Sequence, residues 1–479
     1  MELRTKSFGV RLFLLTFSIS CLYVFLTAYP GKAFAESRGG PLPDFDLTSP
    51  ELSARKQEET VDATVYKRHL ASQRRLQPVK VNTSKQYYPI IFLPGVAGTR
   101  LYHKWYGLDK ELWPATYPLH DITKLHMDEN GVPKTKDVSA GDILMHGDEL
   151  LSKLSQPIYG DLLKSIQSIK LENGMSYKNG VNLFPWGYDW RLDNADHLSA
   201  LENFVKEKKL NKVILIAHSM GGLISRAYAV KYPERVETII SIGSPFAGSP
   251  KPFYGLVMGY TFGNDYYVTA KGMKVLLQNT PSTYQLLPQY NFVQKDPTII
   301  PNEDFYKKIK YKDPDSWKDW WNASNSWSMN TKLLEKAKLF YGLVKTSDNP
   351  VPLPSATKHY AIIGVGVKTL DGYSLKEASS DAKDYLDYNG EKVILTPQLR
   401  NGDGTVPLKS ADIKHTTRTY FIHHGKEPDT SGEHGNLPNN KQVQRIVTNI
   451  LLGNPDSDTG KPDSPNPVNT EPEMDFTLR

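Results

Sequence analysis

Apolar positions along this chain alternate between short β-branched runs and longer stretches in which they recur three and four residues apart. Residues 87–93, 181–184, 213–216, 236–242, 360–365 and 417–422 have the length and the Val/Ile content of strands, most of them buried on both faces. Helical spacing appears at 198–207, at Leu223, Ile224, Ala227 and Tyr228, and at 440–452, with a further helix at 148–172 that Pro157 should break. This rhythm predicts an α/β fold with a mostly parallel sheet and helices on both faces.

The rhythm is lost between residues 251 and 354, an interval too long for a crossover and too apolar for a linker. Helices are predicted there at 269–277 and 331–344, and the segment reads as a cap or lid inserted into the core. Its tryptophans Trp317, Trp320, Trp321 and Trp327 lie among polar residues, and two readings stay open: the core of the cap, or a face that binds an apolar ligand. The predicted core thus has two parts, 86–250 and 355–452, the second with a small excursion: a turn at Asn389-Gly390 and a strand at 392–396.

The two ends differ from this body. Arg4, Lys6 and Arg11 precede an apolar stretch at 12–28, and Ala33-Phe34-Ala35 then supplies small residues, so residues 1–35 read as a signal peptide cleaved after Ala35; an uncleaved anchor helix is the alternative. Residues 36–85 form a polar arm, and 453–479, rich in Pro, Asp, Asn and Gly, are expected to be disordered. The only cysteine, Cys21, lies in the removable segment, which leaves the mature chain without a thiol nucleophile, a disulfide or a Cys-bound zinc. That economy suits a secreted, extracellular protein of bacterial origin. The formal charge of +6 would fall to about +3 on cleavage, since residues 1–35 hold four basic side chains and one acidic one. With no clustered Lys/Arg block, no nucleic-acid partner is implied.

Chemistry concentrates where the period changes. Ala217-His218-Ser219-Met220-Gly221 fills the pattern G-x-S-x-G apart from its first residue, between a predicted strand and a predicted helix. Small residues there permit the strained turn that lifts a serine hydroxyl above a helix N-terminus; an ordinary helix N-cap is the bland alternative. Leu93-Pro94-Gly95-Val96-Ala97-Gly98 follows another buried strand and is the second place where a backbone N–H can be left unpaired. The oxyanion donors are therefore assigned to the N–H groups of Val96 and Met220. A serine nucleophile needs a histidine and an acid, in the chain order Ser, acid, His on this kind of fold. Asp403, between two glycines, and His434, in a Gly-flanked loop after the last strand, fit best, with Asp412, His423 and His424 as rivals. His218 is read as a packing residue, and Asp189 with Arg191 as a buried structural ion pair.

Taken together, the LPG-x-x-G turn, Tyr188-Asp189-Trp190-Arg191, the AHSMGG elbow, PSTYQLLP at 281–288, and NGDGTVP at 401–407 with a histidine about thirty residues on resemble the lecithin:cholesterol acyltransferase-like family, which includes lysosomal phospholipase A2. The resemblance spans roughly residues 89–452 and implies an α/β-hydrolase fold, with Ser219 as nucleophile, Asp403 as acid, His434 as base, and Val96 and Met220 at the oxyanion. Two departures stand out: Ala217 replaces the family's first elbow glycine, and the disulfide-closed loop of animal members is impossible here. The implied activity is hydrolysis of lipid acyl esters, at a lipid–water interface with transient membrane contact, with neither metal nor cofactor required. Two alternatives remain open: transfer of the acyl group to a lipid alcohol, and a catalytically inactive binding domain.

Overall fold

Six strands build the central sheet: β1 (Ile90–Leu93), β2 (Leu183–Pro185), β3 (Val213–His218), β4 (Val236–Ile242), β5 (Lys358–Val365) and β6 (Arg418–His423). Their spatial order is β6-β5-β4-β3-β1-β2, and every pairing is parallel. The computed structural model describes residues 86–105, 108–115, 121–145, 159–259, 270–312, 326–346, 349–380, 385–425 and 430–456. The predicted signal segment, the polar arm up to residue 85, the start of the predicted helix at 148–158 with Pro157, Trp317, Trp320, Trp321 and the tail beyond 456 lie outside these residues.

The two-residue period of a strand sorts the sheet's side chains into two apolar layers. Ile90 and Phe92 join Ile214, Ile216, Ile240, Ile242 and Ile362 on one face, where helices α1 (Gly160–Gln167) and α4 (Lys441–Leu451) cover them with Leu162, Ile166, Val443 and Ile446. Ile91 and Leu93 join Leu215, Ala217 and Ile239 on the other, under α2 (Asn194–Glu207) and α3 (Met220–Lys231). Burying each such aliphatic side chain contributes roughly 1.5–3 kcal/mol, which is why β-branched runs with no polar alternation settle in the middle of the molecule. Helix starts are fixed by side-chain acceptors: Asp193 takes the Ala195 N–H, and Asn440 takes those of Gln442 and Val443.

Chain order reverses at β1. The chain steps from β1 to β2 on one side, then returns to place β3 on the other and continues outward. In a parallel sheet this leaves a crevice beyond the carboxyl ends of the two strands flanking the reversal, here β1 and β3. Those ends carry Pro94 and Ser219.

Two further sheets flank this core. A three-stranded antiparallel one (Leu108–Trp113, Thr99–Trp105, Val138–Ile143) fills the stretch after β1. A seven-stranded one unites strands of the insertion, among them Val293–Lys295, Thr298–Ile300 and Ile309–Lys312, with a long antiparallel ribbon, Val367–Glu377 and Glu391–Gly402. That ribbon is a direct continuation of β5 through Gly366 (φ 91°), and it is far longer than the strand expected at 392–396. Phe253, Phe292, Phe305 and Tyr373 meet edge-on or tilted between helix Lys251–Met258 and this sheet, with centroids 5.3–6.2 Å apart. They belong to the same apolar cluster as the inner face of α2 and α3, so the structure is an α/β fold whose insertion packs onto the core as a helical and stranded cap.

Candidate active site

Ser219 sits at the junction of β3 and α3 with φ 53° and ψ −123°, in a region of backbone space that costs a side-chain-bearing residue on the order of 1–3 kcal/mol. Its neighbours make the turn possible. A β-carbon on Gly221 would come 2.6 Å from the Leu93 carbonyl oxygen and 2.7 Å from that of Pro94, and one on Gly222 would overlap the Ser244 hydroxyl. Glycine at these places brings the start of α3 against the end of β1. Ala217, by contrast, pairs in register with Leu93 and Ser241 and is fully buried in the apolar layer, so its methyl fills space that the strand leaves open.

The hydroxyl of Ser219 lies 2.9 Å from His434 Nε2, and His434 Nδ1 lies 2.8 Å from Asp403 Oδ2. The carboxylate can only accept there, so Nδ1 carries the proton and Nε2 is left to accept from the serine. Asp403 is 2% exposed, and its second oxygen accepts the N–H groups of Thr405 (3.0 Å) and Val406 (2.7 Å). This tight turn is held in turn by the Thr369 hydroxyl, which accepts the Gly404 N–H at 2.8 Å, and by the Asp403 carbonyl, which accepts the N–H of His434 at 2.8 Å. A buried carboxylate needs such partners, and here they also fix its direction. The rivals lie elsewhere: His424 Nδ1 accepts the Gly432 N–H, His423 is exposed, and Asp412 caps the short helix Leu408–Ala411.

The loop after β1 is pinned by three aromatic side chains that point their polar ends at its backbone. Tyr188 donates to the Pro94 carbonyl (2.7 Å), Tyr159 accepts the Gly95 N–H (2.8 Å), and Trp113 donates to the Ala97 carbonyl (2.8 Å). Ala97 is held at φ 61° in the resulting turn, which the Gly98 N–H closes onto Gly95 at 3.1 Å. Among the described residues no hydrogen bond engages the N–H of Val96 or of Met220. Ser219 is only 4% exposed beside them. A backbone N–H without a partner at a helix N-terminus is chemically suited to an oxygen that gains negative charge.

The loop between β2 and α2 supplies the frame. Arg191 grips Asp189 through both its Nε (2.9 Å) and its second terminal nitrogen (2.6 Å), and donates to the Leu125 carbonyl (2.8 Å), as the structural ion pair expected from the sequence. Gln285 of the PSTYQLLP stretch accepts the Asn194 N–H (2.9 Å) and donates to Asp193 (2.6 Å), tying the cap to the start of α2. Sequence reasoning passed over Tyr159 and Trp113, and it placed His218 as mere packing. His218 is fully buried, yet its ring contacts that of His434 at 4.7 Å and both its nitrogens find partners. Trp327 lies in the edge strand Ser326–Ser328.

The chain is similar to several known proteins. The chain is 27% identical over 320 residues to the phospholipase A(1) LCAT3 of Arabidopsis thaliana, covering 59% of this chain and 68% of that protein. It is 23% identical over 435 residues to lecithin-cholesterol acyltransferase-like 4 of the same plant, covering 77% and 76%. The solved Tle4–Tli4 complex contains a chain that superposes with a TM-score of 0.44 at 16% identity, covering 78% of this chain and 99% of that one. The sequence profile of lecithin:cholesterol acyltransferase matches residues 140–437, well over half of the chain, which therefore belongs to the lecithin:cholesterol acyltransferase family of α/β-hydrolase enzymes.

Proposed function

We propose that the protein hydrolyses acyl esters of lipids through a covalent acyl-enzyme, with Ser219 as nucleophile, His434 as general base and Asp403 as its orienting acid. The single observation that carries this reading is the continuous hydrogen-bonded series from Ser219 Oγ through His434 to Asp403, beside the unpaired N–H groups of Val96 and Met220. His434 Nε2 takes the hydroxyl proton as Oγ bonds to the ester carbonyl carbon. The carbonyl oxygen becomes an oxyanion facing the two N–H donors, each a contribution of roughly 3 kcal/mol in such sites. On collapse the bond to the alcohol oxygen breaks, and His434 returns the proton to that leaving group. Water then adds to the acyl-enzyme by the reverse sequence, with the fatty acid released and Ser219 regenerated.

The relatives' names support both hydrolysis and acyl transfer: one is called a phospholipase, another acyltransferase-like. A lipid alcohol in place of water would give a new ester from the same intermediate. Incubating the protein with phospholipid, triacylglycerol and a long-chain alcohol, and separating the products, decides between them. Free fatty acid alone supports hydrolysis, a new ester supports transfer, and neither product, under conditions where Ser219→Ala is equally inert, removes the reading. The tryptophans Trp317, Trp320, Trp321 and Trp327 are proposed to contact lipid. Trp320→Ala with Trp321→Ala should then depress activity on vesicles far more than on a soluble C4 ester, and equal losses would return them to the core of the cap. Export is proposed from Arg4, Lys6, Arg11 and the apolar stretch after them, and intact mass of protein from the medium tests a start at Glu36.

A further inference from the structure

Behind the nucleophile runs a buried series of hydrogen bonds that the reaction above does not use. The Gly95 N–H donates to Tyr159 Oη at 2.8 Å, Tyr159 Oη lies 3.2 Å from His218 Nδ1, and His218 Nε2 lies 2.9 Å from the main-chain oxygen of His434. A carbonyl only accepts, so His218 Nε2 carries a proton. Burial, aided by the nearby His434 ring, holds the His218 imidazole neutral, well below the ordinary histidine range. Nδ1 is therefore a bare acceptor and Tyr159 its donor, which leaves a phenol lone pair for Gly95. One arrangement of protons satisfies every group in the series.

Its two ends fall on the machinery. At one end, a β-carbon on Gly98 would come 2.7 Å from Tyr159 Oη, and one on Gly95 would come 2.9 Å from Ser219 Cβ, so the turn bearing Val96 is wrapped around the phenol oxygen and pressed against the serine. At the other end, the His434 carbonyl is held by His218 while its N–H is held by the Asp403 carbonyl at 2.8 Å. Tyr159 and His218 both have zero exposure. Burying a phenol and an imidazole costs free energy that an apolar pair would not, and core packing alone gives no reason for both ends to meet loop backbone.

We propose that Tyr159 and His218 are positioning residues for ester cleavage, which together lock the turn bearing the Val96 N–H and the backbone of His434 in register with Ser219 Oγ. The inference rests on the ester-cleaving reading given above. Tyr159→Phe removes one oxygen and frees both Gly95 and His218. His218→Asn keeps an acceptor near the Nδ1 position and loses the donor to His434.

Hydrolysis of p-nitrophenyl butyrate by the wild-type chain tests the underlying reading first: no turnover and no labelling by a fluorophosphonate would overturn that reading, and this one with it. Given an active wild type, each variant should keep KM within about twofold and lose kcat by about 10- to 100-fold, the scale of a misplacement of around an ångström. Affinity for a trifluoromethyl ketone, which becomes an oxyanion on the serine, should fall in parallel with kcat, and the double variant should be no worse than the poorer single one. Turnover and analogue affinity near wild type in either variant would assign the pair to packing and overturn the proposal. Failure of both variants to fold would do the same, as would a loss confined to KM and melting temperature.

Discussion

Gly243 faces the imidazole of His434 so closely that a β-carbon there would come 3.2 Å from His434 Nδ1, 3.2 Å from Asp403 Oδ2 and 2.9 Å from Leu437 Cδ1, on a backbone at φ 58°. Gly243→Ala should therefore fold with a lowered melting temperature and lose at least about tenfold in kcat, since the methyl must push the imidazole off its acid. Wild-type turnover by a variant of confirmed structure would show that the loop around His434 yields without cost.

The roles proposed for Ser219, His434 and Asp403 predict unequal losses. Ser219→Ala and His434→Ala should each reduce kcat on a soluble ester by several orders of magnitude, on the order of 10⁴ or more. Asp403→Asn should leave a measurable rate, because the oxyanion donors remain while the imidazole loses its preferred tautomer. Steady-state kinetics on all three decides it, and near-normal turnover in either alanine variant would remove that residue from the chemistry.

The Asp189–Arg191 pair should behave as a unit. Arg191→Met leaves a buried carboxylate unpaired and should cost about 3–5 kcal/mol in urea unfolding. Adding Asp189→Leu to it should recover part of that loss, because the second change removes the stranded charge. A double variant as unstable as the sum of the singles would contradict the account.

Acid should weaken the fold through buried histidines. Burial, then the neighbouring Arg226 charge, pushes His359 down from 6.5 to about 3, and its ring is engaged by Arg226 on Nδ1 and by Ser241 on Nε2. Burial likewise pushes His197 down to about 4. An unfolded chain protonates both below its own pKa near 6.5 while the folded one does not, so the stability they confer is complete above that pH and drains as pH falls towards the folded values. By pH 5 the loss should reach roughly 2 kcal/mol per group. Urea unfolding at pH 7 and pH 5 measures it, and His359→Gln should flatten the difference.

What the sequence disclosed and what it concealed follow from the same physics. Strands such as Val213–His218 and Val236–Ile242 are buried on both faces, which writes them as short segments dense in Val and Ile, with Glu237 at the one half-buried position. The ribbon Val367–Glu377 and Glu391–Gly402 carries Thr396, Gln398, Arg400 and Asn401 at half-buried positions and Lys376, Glu377, Glu391 and Lys392 at exposed ones, and pairs with Val293 some eighty residues away, so only the first part of its returning strand showed a strand's signature. Around Ser219 the glycines were legible because close backbone approach admits nothing larger. Tyr159 and Trp113 were not, since a side chain that bonds to a distant main-chain atom leaves no period and no motif. His218 was read as a packing residue and is fully buried, but its position beside the serine gave no hint that His434 would bring a carbonyl to it.

The ribbon also ties the cap to the central sheet. Its outgoing strand leaves β5 at Val365, and its returning strand ends at Gly402, one residue before Asp403. The cap sheet is thus stitched into the chain next to Asp403, as well as at the two ends of the insertion. A chimaera that exchanged residues 251–354 alone would strand Tyr373 without its pairing to Val293. An exchange that keeps this sheet intact must therefore carry both segments together, with the turn at Asp403 as the seam.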